Sequence, residues 1–332
     1  MGSSRELTVS VIIPVHFGGS MFKKCLSSVA AAEPSPYETI VVADGDTDAS
    51  WRVAEDLGMR VVKIPEAGGP AKARNLGARE AKGDVLFFVD ADVIIPKNAF
   101  GQVKGVFNAD PAVVAVFGSY DDEPAQSNFL SQYKNLLHHY VHQTASEEAS
   151  TFWAACGAIR REVFSAMGGF DEAYRHPSIE DIELGYRLKK AGHRIRLLKA
   201  LQVKHLKRWN VFSLLKADFF YRALPWTHLI LEEKGFIDDL NVKVSSRVSV
   251  TFVCLLLLAL LGTAFVPGFL LPAFILALVL LGLNWDLYLF LRNKRGVGFA
   301  LKTIPWHWFY FFYSGLAFSI CVADHGIRRL RL

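Results

Sequence analysis

The sequence predicts an α/β fold in which a doubly wound, mostly parallel sheet is followed by C-terminal interfacial and transmembrane helices. Short apolar runs alternate with helix-like segments through residues 8–89, which favours parallel strands joined by right-handed crossovers. The uninterrupted run Val85–Val89 is typical of a central strand buried on both faces. Long apolar runs begin at Val248, whereas charged residues occur throughout residues 1–244.

The first half of the chain alternates strand and helix in a regular order. Pro14 closes the first strand, and the acidic turn Asp44–Asp48 can cap the helix that follows it. Gly68-Gly69-Pro70 opens another helix, with proline at a favoured first-turn position. The predicted strands are residues 8–15, 38–43, 60–63 and 85–89, and the predicted helices are residues 21–32, 50–57 and 70–81.

The second half is less regular. A polar and aromatic stretch, residues 119–150, contains His138, His139 and His142 at helical spacing. Such spacing suits a metal pair, but the flanking apolar residues share it, so packing is the favoured interpretation. Further strands are predicted at residues 112–117, 151–158 and 193–199, and helices at residues 97–107 and 160–166, with one more after Ser178 as N-cap.

Composition excludes some classes of function. The formal net charge of +5 is modest and no basic groove is interleaved with aromatic residues, so we expect no nucleic-acid partner. The four cysteines are dispersed and show neither zinc spacing nor a disulfide framework, which favours reduced thiols facing the cytosol. Neither a dinucleotide fingerprint nor a P-loop occurs. The first residues have no apolar signal region, so we expect the first domain to stay on the cytosolic side.

The first candidate site is Asp90-Ala91-Asp92, directly after the buried strand Val85–Val89. Ligands of open α/β sheets bind beyond the carboxyl ends of the strands. Carboxylate oxygens there suit Mg²⁺ or Mn²⁺ carried by a phosphate group. The alternative is two solvated turn acids, since this tripeptide is common by chance.

The second candidate site is Glu180-Asp181, in the first turn of the helix predicted after Ser178. Acids in a first turn are stabilised by the helix dipole, which would account for Glu180 or Glu183 alone. A first-turn carboxylate aimed into a crevice can also act as a general base, and Asp181 lies beside a glycine-rich loop.

Six motifs, in order, resemble the inverting family 2 nucleotide-sugar glycosyltransferases of the GT-A fold. They are V-S-V-I-I-P-V, V-V-A-D-G-D-T-D, G-G-P-A-K-A-R-N-L-G, F-V-D-A-D, G-G-F-D-E and I-E-D-I-E-L-G-Y-R-L, and the resemblance covers residues 8 to 209. It departs from the family's usual pattern at His16-Phe17 and at Ala43–Asp46, both beside the nucleotide, which leaves the base of the donor open between UDP and GDP types, with UDP favoured.

The resemblance implies a role for each matching residue. Asp181 would be the base that deprotonates the acceptor hydroxyl, and Glu180 would orient it. A divalent metal, Mg²⁺ or Mn²⁺, would be bound by Asp90, Asp92 and His205. Gly157 and Ala158 are expected on a loop that faces the sugar. The implied nucleotide-sugar contacts are Pro14, Val15, Asp44, Arg74, Asp90, Gly157 and Ala158. The run H-L-K-R-W resembles a motif of membrane-embedded polymer synthases, which assigns Arg208 and Trp209 to the acceptor or membrane side.

The chemistry agrees with these roles. A metal neutralises the leaving diphosphate, and one base without a second nucleophile implies a single in-line displacement with inversion. Two alternatives stay open: a non-catalytic membrane protein whose degenerate domain binds nucleotide sugar, and a subunit of a polysaccharide synthase. A nucleotidyltransferase would need a glycine-rich signature loop near the N-terminus, for which Gly18-Gly19 is too short.

The last third of the sequence predicts membrane attachment. Aromatic and charged residues mixed through residues 209–231 are typical of an interfacial helix. Spans are predicted at residues 248–266, 269–291 and, as a span or a re-entrant segment, 305–322. We therefore expect a catalytic domain at residues 1–208, interfacial helices at 209–244 and a transmembrane region at 245–332. The basic flanks favour a multi-pass cell-membrane protein with a cytosolic catalytic domain that acts on a lipid or lipid-linked acceptor.

Overall fold

A computed structural model of the chain describes residues 6–45, 48–232 and 244–330, with the side chains of residues 328–330 left aside. The chain divides into two compact units, Met1–Arg208 and Trp209–Leu332. Asp46 and Thr47, within the predicted acidic turn, lie outside the described residues, as do residues 233–243.

The first unit is built on one sheet of nine strands. Their order across the sheet is β3-β2-β1-β4-β8-β6-β9-β5, and β7 pairs with β9. The strands are β1 Val9–Val15, β2 Glu38–Asp44, β3 Arg60–Ile64, β4 Val85–Val89, β5 Val93–Ile94, β6 Val113–Tyr120, β7 Glu148–Ala149, β8 Cys156–Arg160 and β9 Arg194–His205.

Seven helices of the first unit connect these strands within the described residues. They are α1 Gly19–Ala30, α2 Arg52–Asp56, α3 Pro70–Glu80, α4 Ala99–Ala109, α5 Phe129–Thr144, α6 Arg161–Ala166 and α7 Glu180–Lys190. Gly77 lets α3 lie directly on the sheet, because a Cβ there would be 2.5 Å from Cγ2 of Ile12. The central strands β1 and β4 are buried on both faces, as the continuous apolar runs predict.

The prediction of a mostly parallel sheet holds among β1, β2, β3 and β4 and for the pair β6 and β9, whereas β5, β7 and β8 pair with their neighbours in the antiparallel direction. β1, β2, β3 and β4 pair in parallel, and so do β6 and β9. β8 is antiparallel to both β4 and β6, and β5 and β7 are antiparallel to β9. A strand buried on both faces is apolar whichever way its neighbours run, so the sequence pattern does not specify direction.

The second unit begins with a helix that changes geometry along its length. Asn210 caps it, accepting a hydrogen bond from the Ser213 N–H at 2.8 Å. Its parts are α8 Val211–Leu215, a π-helical segment Lys216–Ala223 and α9 Leu224–Glu232. Phe212 and Phe220 are 77% and 60% exposed, so this helix has a large apolar surface outside the unit's core.

The remaining helices of the second unit are more apolar. They are α10 Val244–Gly262, a short 3₁₀ turn Pro267–Phe269, α11 Leu270–Leu283, α12 Trp285–Arg295 and α13 Val297–Leu330. α10, α11 and α13 share a small core that includes Val253, Leu280 and Phe311.

The structure corrects the predicted spans. Among the described residues, Val244–Gly262 is long and apolar enough to cross a bilayer, four residues earlier than predicted. The predicted span 269–291 is bent by 65° between Pro267–Leu283 and Trp285–Arg295, so at most the bent pair forms one broken span. The Asn284 amide lies at this bend and donates to the Leu280 carbonyl at 2.9 Å and to Ser249 Oγ at 3.1 Å. Residues 305–322 lie inside α13, whose aromatic and polar residues make this helix too polar to count as a membrane span.

Candidate active site

Asp44, at the carboxyl end of β2, binds a glycine loop. Its two carboxylate oxygens accept hydrogen bonds from the N–H groups of Gly68 and Gly69 at 2.7 and 2.8 Å. Gly69 has φ +90°, and a Cβ there would lie 2.3 Å from the Arg175 carbonyl oxygen, so glycine is required. The His16 Nδ1 lies 2.6 Å from the Asp44 carbonyl oxygen. Asp44 is therefore fixed in place, and its neighbours are backbone amides.

Arg74 connects the two predicted acidic sites. Its guanidinium donates to Asp90 Oδ1 at 2.6 Å and to Glu180 Oε1 at 2.8 Å. Arg74 and Glu180 are buried, whereas the Asp90 side chain is 32% exposed. Burial raises the pKa of Asp90 above its ordinary value, although Arg74 opposes that shift. The arginine thus holds the end of β4 against the start of α7, which are far apart in sequence.

Asp92 faces His205. The carboxylate oxygen Oδ2 lies 3.6 Å from the imidazole Nε2, and β5 brings them together by pairing Val93 with His205. Although burial opposes ionisation, the contact with His205 holds the pKa of Asp92 below its ordinary value. Asp92 is therefore an anion at neutral pH. It lies in the partly exposed turn that follows β4.

Asp90, Asp92 and His205 could hold a divalent metal only together with a bound molecule that supplies further oxygen atoms. No group of three or more histidine, cysteine or acidic side chains that could hold a metal ion occurs in the described part of the chain. Asp92 and His205 supply a carboxylate oxygen and an imidazole nitrogen, both suited to Mn²⁺. Asp90 Oδ1 is engaged by Arg74. The remaining ligands would come from diphosphate oxygens and water, as is usual where metals bind with a nucleotide.

Two backbone amides and the neighbouring Glu180 surround the Asp181 carboxylate. Its Oδ2 accepts the Ala154 N–H at 3.0 Å, and its Oδ1 accepts the Ile182 N–H at 2.8 Å. Burial and the adjacent Glu180 charge raise the pKa of Asp181 to about 7. A carboxylate that titrates near neutral pH can accept a proton efficiently.

The start of α7 differs from its predicted form. Because α7 begins at Glu180, its N-cap is Ile179 and not Ser178. The Ser178 N–H donates to Glu180 Oε2 at 2.9 Å. Both oxygens of Glu180 are occupied, one by Ser178 and one by Arg74. Glu180 is therefore buried and ion-paired with Arg74, whereas Asp181 is partly exposed and is the first-turn acid that a ligand can reach.

The predicted position of Gly157 and Ala158 is wrong. Both lie inside strand β8, between β4 and β6, and both are fully enclosed. A Cβ on Gly157 would lie 2.4 Å from the Trp153 carbonyl oxygen, so this glycine serves the close approach of the preceding loop. That loop contacts the acidic residues, through the Ala154 N–H on Asp181 and the Ala155 carbonyl on the Asp90 N–H.

The other predicted residues have mixed positions. Pro14 is half-buried at the end of β1, but the Val15 side chain is 2% exposed and lies in the core, so its backbone alone is available to a ligand. Arg208 is exposed and Trp209 is buried. They fall on either side of the division between the two units, and their role toward an acceptor stays a prediction.

The three histidines of α5 pack against β6. Nδ1 of His139 lies 2.8 Å from the Tyr120 carbonyl oxygen, and Nδ1 of His142 lies 3.1 Å from that of Gly118. Burial lowers the pKa of His142 to about 4, so its neutral ring donates to the carbonyl at pH 7. Packing, the favoured interpretation, is what the geometry supports.

Three residues near the site have no role predicted from the sequence, although Asn75 lies within the motif G-G-P-A-K-A-R-N-L-G. Asn75 bonds both the N–H and the carbonyl of Phe170, at 2.9 and 2.8 Å, and so fixes the loop before α7. Ala154 contributes only its backbone. Tyr120 stacks on His205, and only the pairing of β6 with β9 makes this contact visible.

Comparison with known proteins identifies the domain. Residues 10–168 match Glycosyl transferase family 2. The pre-mycofactocin glycosyltransferase of Mycobacterium tuberculosis is 28% identical over 224 residues, which cover 64% of this chain and 46% of that protein. The chain therefore spans about half the length of this relative.

Solved structures share the fold. The mannosyltransferase PcManGT from Pyrobaculum calidifontis, in complex with GDP-Man and Mn²⁺, aligns with a TM-score of 0.54 at 17% identity, covering 97% of this chain and 88% of that one. TarS 1-349 of S. aureus, in complex with UDP-GlcNAc, aligns with a TM-score of 0.51 at 20% identity, covering 68% and 66%. At these identities the likeness is one of fold.

Proposed function

Because residues 10–168 form a family 2 glycosyltransferase domain of GT-A fold, we propose that this chain transfers a sugar from a nucleotide-sugar donor to an acceptor hydroxyl, with inversion at the anomeric carbon. The observation that carries the proposal is the double ion pair of Arg74. It joins the strand end bearing Asp90 and Asp92 to the helix start bearing Asp181. The carboxylates that would bind the sugar donor, Asp90 and Asp92, and the proposed base, Asp181, are thereby held at one site.

The donor binds at the carboxyl ends of β1, β2 and β4. Asp44 and Pro14 contact the nucleoside, and the exposed side of Asp90 contacts the ribose. Arg74 acts from behind, because its guanidinium is buried and already paired. We favour a UDP-sugar, and since fold neighbours carry UDP-GlcNAc or GDP-Man, both bases belong in the test.

Asp92, His205 and the free oxygen of Asp90 would hold Mg²⁺ or Mn²⁺ together with the diphosphate. The bound metal supplies positive charge that neutralises the departing nucleoside diphosphate. The chain's own contribution is to keep Asp92 ionised through its contact with His205.

Asp181 accepts the proton of the acceptor hydroxyl as that oxygen attacks the anomeric carbon from the side opposite the diphosphate. Glu180 does not take the proton, since it is buried and paired with the Arg74 guanidinium. Its charge raises the pKa of Asp181, which makes Asp181 a stronger base. With one base and no second nucleophile, the displacement is single and inverting.

We further propose that the acceptor is a lipid or lipid-linked sugar at the cytosolic face of the cell membrane. Only 22% of the most apolar stretch of Val244–Gly262 is buried, whereas the core helix of a soluble protein is mostly buried. Leu258 and Leu261 on that helix are 64% and 67% exposed. Basic residues at Arg247 and Arg292–Arg295 favour the cytosolic side for the adjoining helix ends.

The test is a screen of UDP- and GDP-sugars with Mg²⁺ or Mn²⁺, which reads both donor binding by calorimetry and donor hydrolysis. We expect one donor to bind in a metal-dependent way and to be hydrolysed slowly. Asp92→Ala should abolish the metal-dependent part, whereas Asp110→Ala, which removes a partly exposed carboxylate paired with Arg194, should leave it unchanged. Unchanged nucleotide–Mn²⁺ affinity in Asp92→Ala would refute the metal role.

A further inference from the structure

We infer that Tyr120 is a positioning residue that holds the His205 imidazole toward Asp92 and thereby sets the affinity of the site for a divalent cation. The inference rests on the metal site of the proposed function. It adds a residue that neither the motifs nor the predicted roles include.

Strand register brings the two rings together. In β6 and β9, Tyr120 pairs with Val203, and His205 follows Val203 by two positions. Residues two apart on a strand lie on the same face, so Tyr120 and His205 are neighbours on that face. The register shifts between Phe117 and Ser119, where β9 carries extra residues. Such irregularities re-aim side chains and are frequent beside active sites.

The contact between the rings is a parallel stack. Their centroids are 4.3 Å apart and their planes differ by 13°. The imidazole Nε2 is thereby directed at Asp92 Oδ2, 3.6 Å away. Rotation of the imidazole out of this plane would break the stack, so the tyrosine ring restricts the histidine to orientations that face the carboxylate. Groups that orient a metal-binding histidine contribute about 10- to 100-fold to metal affinity.

Tyr120 is itself held from its other sides. Trp153 packs against it at a right angle with centroids 4.9 Å apart, and the His138 ring lies 4.4 Å away. The His139 ring bonds the Tyr120 carbonyl oxygen, and the His142 ring bonds that of Gly118. The histidines of α5 thus hold the end of β6, and with it the ring that orients His205.

The inference assigns this role to the face of the ring, which phenylalanine also has. Tyr120→Phe should therefore keep the stack, whereas Tyr120→Leu and Tyr120→Met remove it while filling part of the space. Phe107→Leu is the matched control, since it removes a buried ring of α4 that packs with the guanidinium of Arg160, at the end of β8.

The experiment is a titration of the full chain with Mn²⁺ in the presence of UDP or GDP, in which electron paramagnetic resonance measures the bound Mn²⁺. Nucleotide affinity without metal and the melting temperature are measured alongside. We expect wild type, Tyr120→Phe and Phe107→Leu to share one Mn²⁺ affinity, and Tyr120→Leu and Tyr120→Met to bind Mn²⁺ about tenfold more weakly with unchanged metal-free nucleotide affinity. Pulsed measurements should show an imidazole nitrogen coupled to Mn²⁺ in the first group and a weaker coupling in the second.

Three results would overturn the inference, and they are distinguishable. Equal Mn²⁺ affinity and equal nitrogen coupling in Tyr120→Met and wild type would remove the positioning role and leave the metal site intact. Absence of Mn²⁺ binding by wild type with either nucleotide would remove the metal site of the proposed function, and the inference with it. A loss of affinity in Phe107→Leu as large as in Tyr120→Met would show that general destabilisation is the cause.

Discussion

Asp181→Asn separates a catalytic base from a structural acid. The substitution keeps the shape of the side chain but removes its ability to accept a proton. In the structure the carboxylate accepts two backbone N–H groups, from Ala154 and Ile182. An amide can accept one of them through its oxygen and must turn its NH₂ toward the other, which costs about 1–3 kcal/mol. Relief of the repulsion from Glu180 offsets part of this cost, so stability should change little.

The effect on rate should be much larger. A positioned base contributes about 10²- to 10⁴-fold, which corresponds to about 2.7–5.5 kcal/mol at 1.36 kcal/mol per decade. Because the pKa of Asp181 is raised to about 7, the wild-type carboxylate is ionised above that pH and protonated below it. kcat/KM should therefore rise with pH up to about 7 and then level off, and fall about tenfold per pH unit on the acid side. This fall of kcat/KM at low pH, the acid limb of the profile, should be absent from Asp181→Asn.

The assay is transfer to acceptor from pH 5 to 9. We would measure kcat at saturating donor and acceptor, kcat/KM from initial rates at acceptor concentrations well below KM, and thermal unfolding in parallel. Asp171→Asn is the matched control, since it removes an exposed carboxylate from the loop before α7 that accepts only the Ala173 N–H. It should keep both turnover and the acid limb. Normal turnover in Asp181→Asn, or an acid limb that persists in it, would refute the assignment and direct attention to Glu180 or Asp171.

Three further predictions concern stability, the donor site and the membrane. Arg74→Met should lower the free energy of unfolding by about 3–5 kcal/mol in urea titrations, because it leaves two carboxylates without their cation, whereas Arg79→Met, 61% exposed on the same helix, should change it by less than about 1 kcal/mol; equal effects would contradict the bridging role. Gly69→Ala should weaken nucleotide binding in calorimetry by more than Gly58→Ala, since both have positive φ but only Gly69 meets a carbonyl oxygen at 2.3 Å. If Val244–Gly262 crosses a bilayer, the full chain should stay in the membrane fraction after carbonate washing, and recovery in the soluble fraction would contradict the span.

The sequence by itself determined the order of strands and helices as far as β4 and indicated which residues could do chemistry, but it did not predict the short strands β5 and β7. β1, β2, β3 and β4 lie where their apolar runs predict them, because burial on both faces leaves a continuous local pattern. Asp44 ends β2, Asp90 and Asp92 lie in the turn between β4 and β5, and Asp181 lies in the first turn of α7. Such positions follow from local signals, and six motifs in order made the family recognisable.

The tertiary structure alone decided which of these residues meet. Arg74 and Glu180 are 106 positions apart, and no periodicity relates them. The burial of Gly157 and Ala158 follows from the antiparallel insertion of β8 between β4 and β6, which an apolar run does not reveal. The stack of Tyr120 on His205 depends on a register shift between two strands. Contacts across a sheet are set by pairing and register between distant segments, whereas sequence patterns report the face that each segment buries.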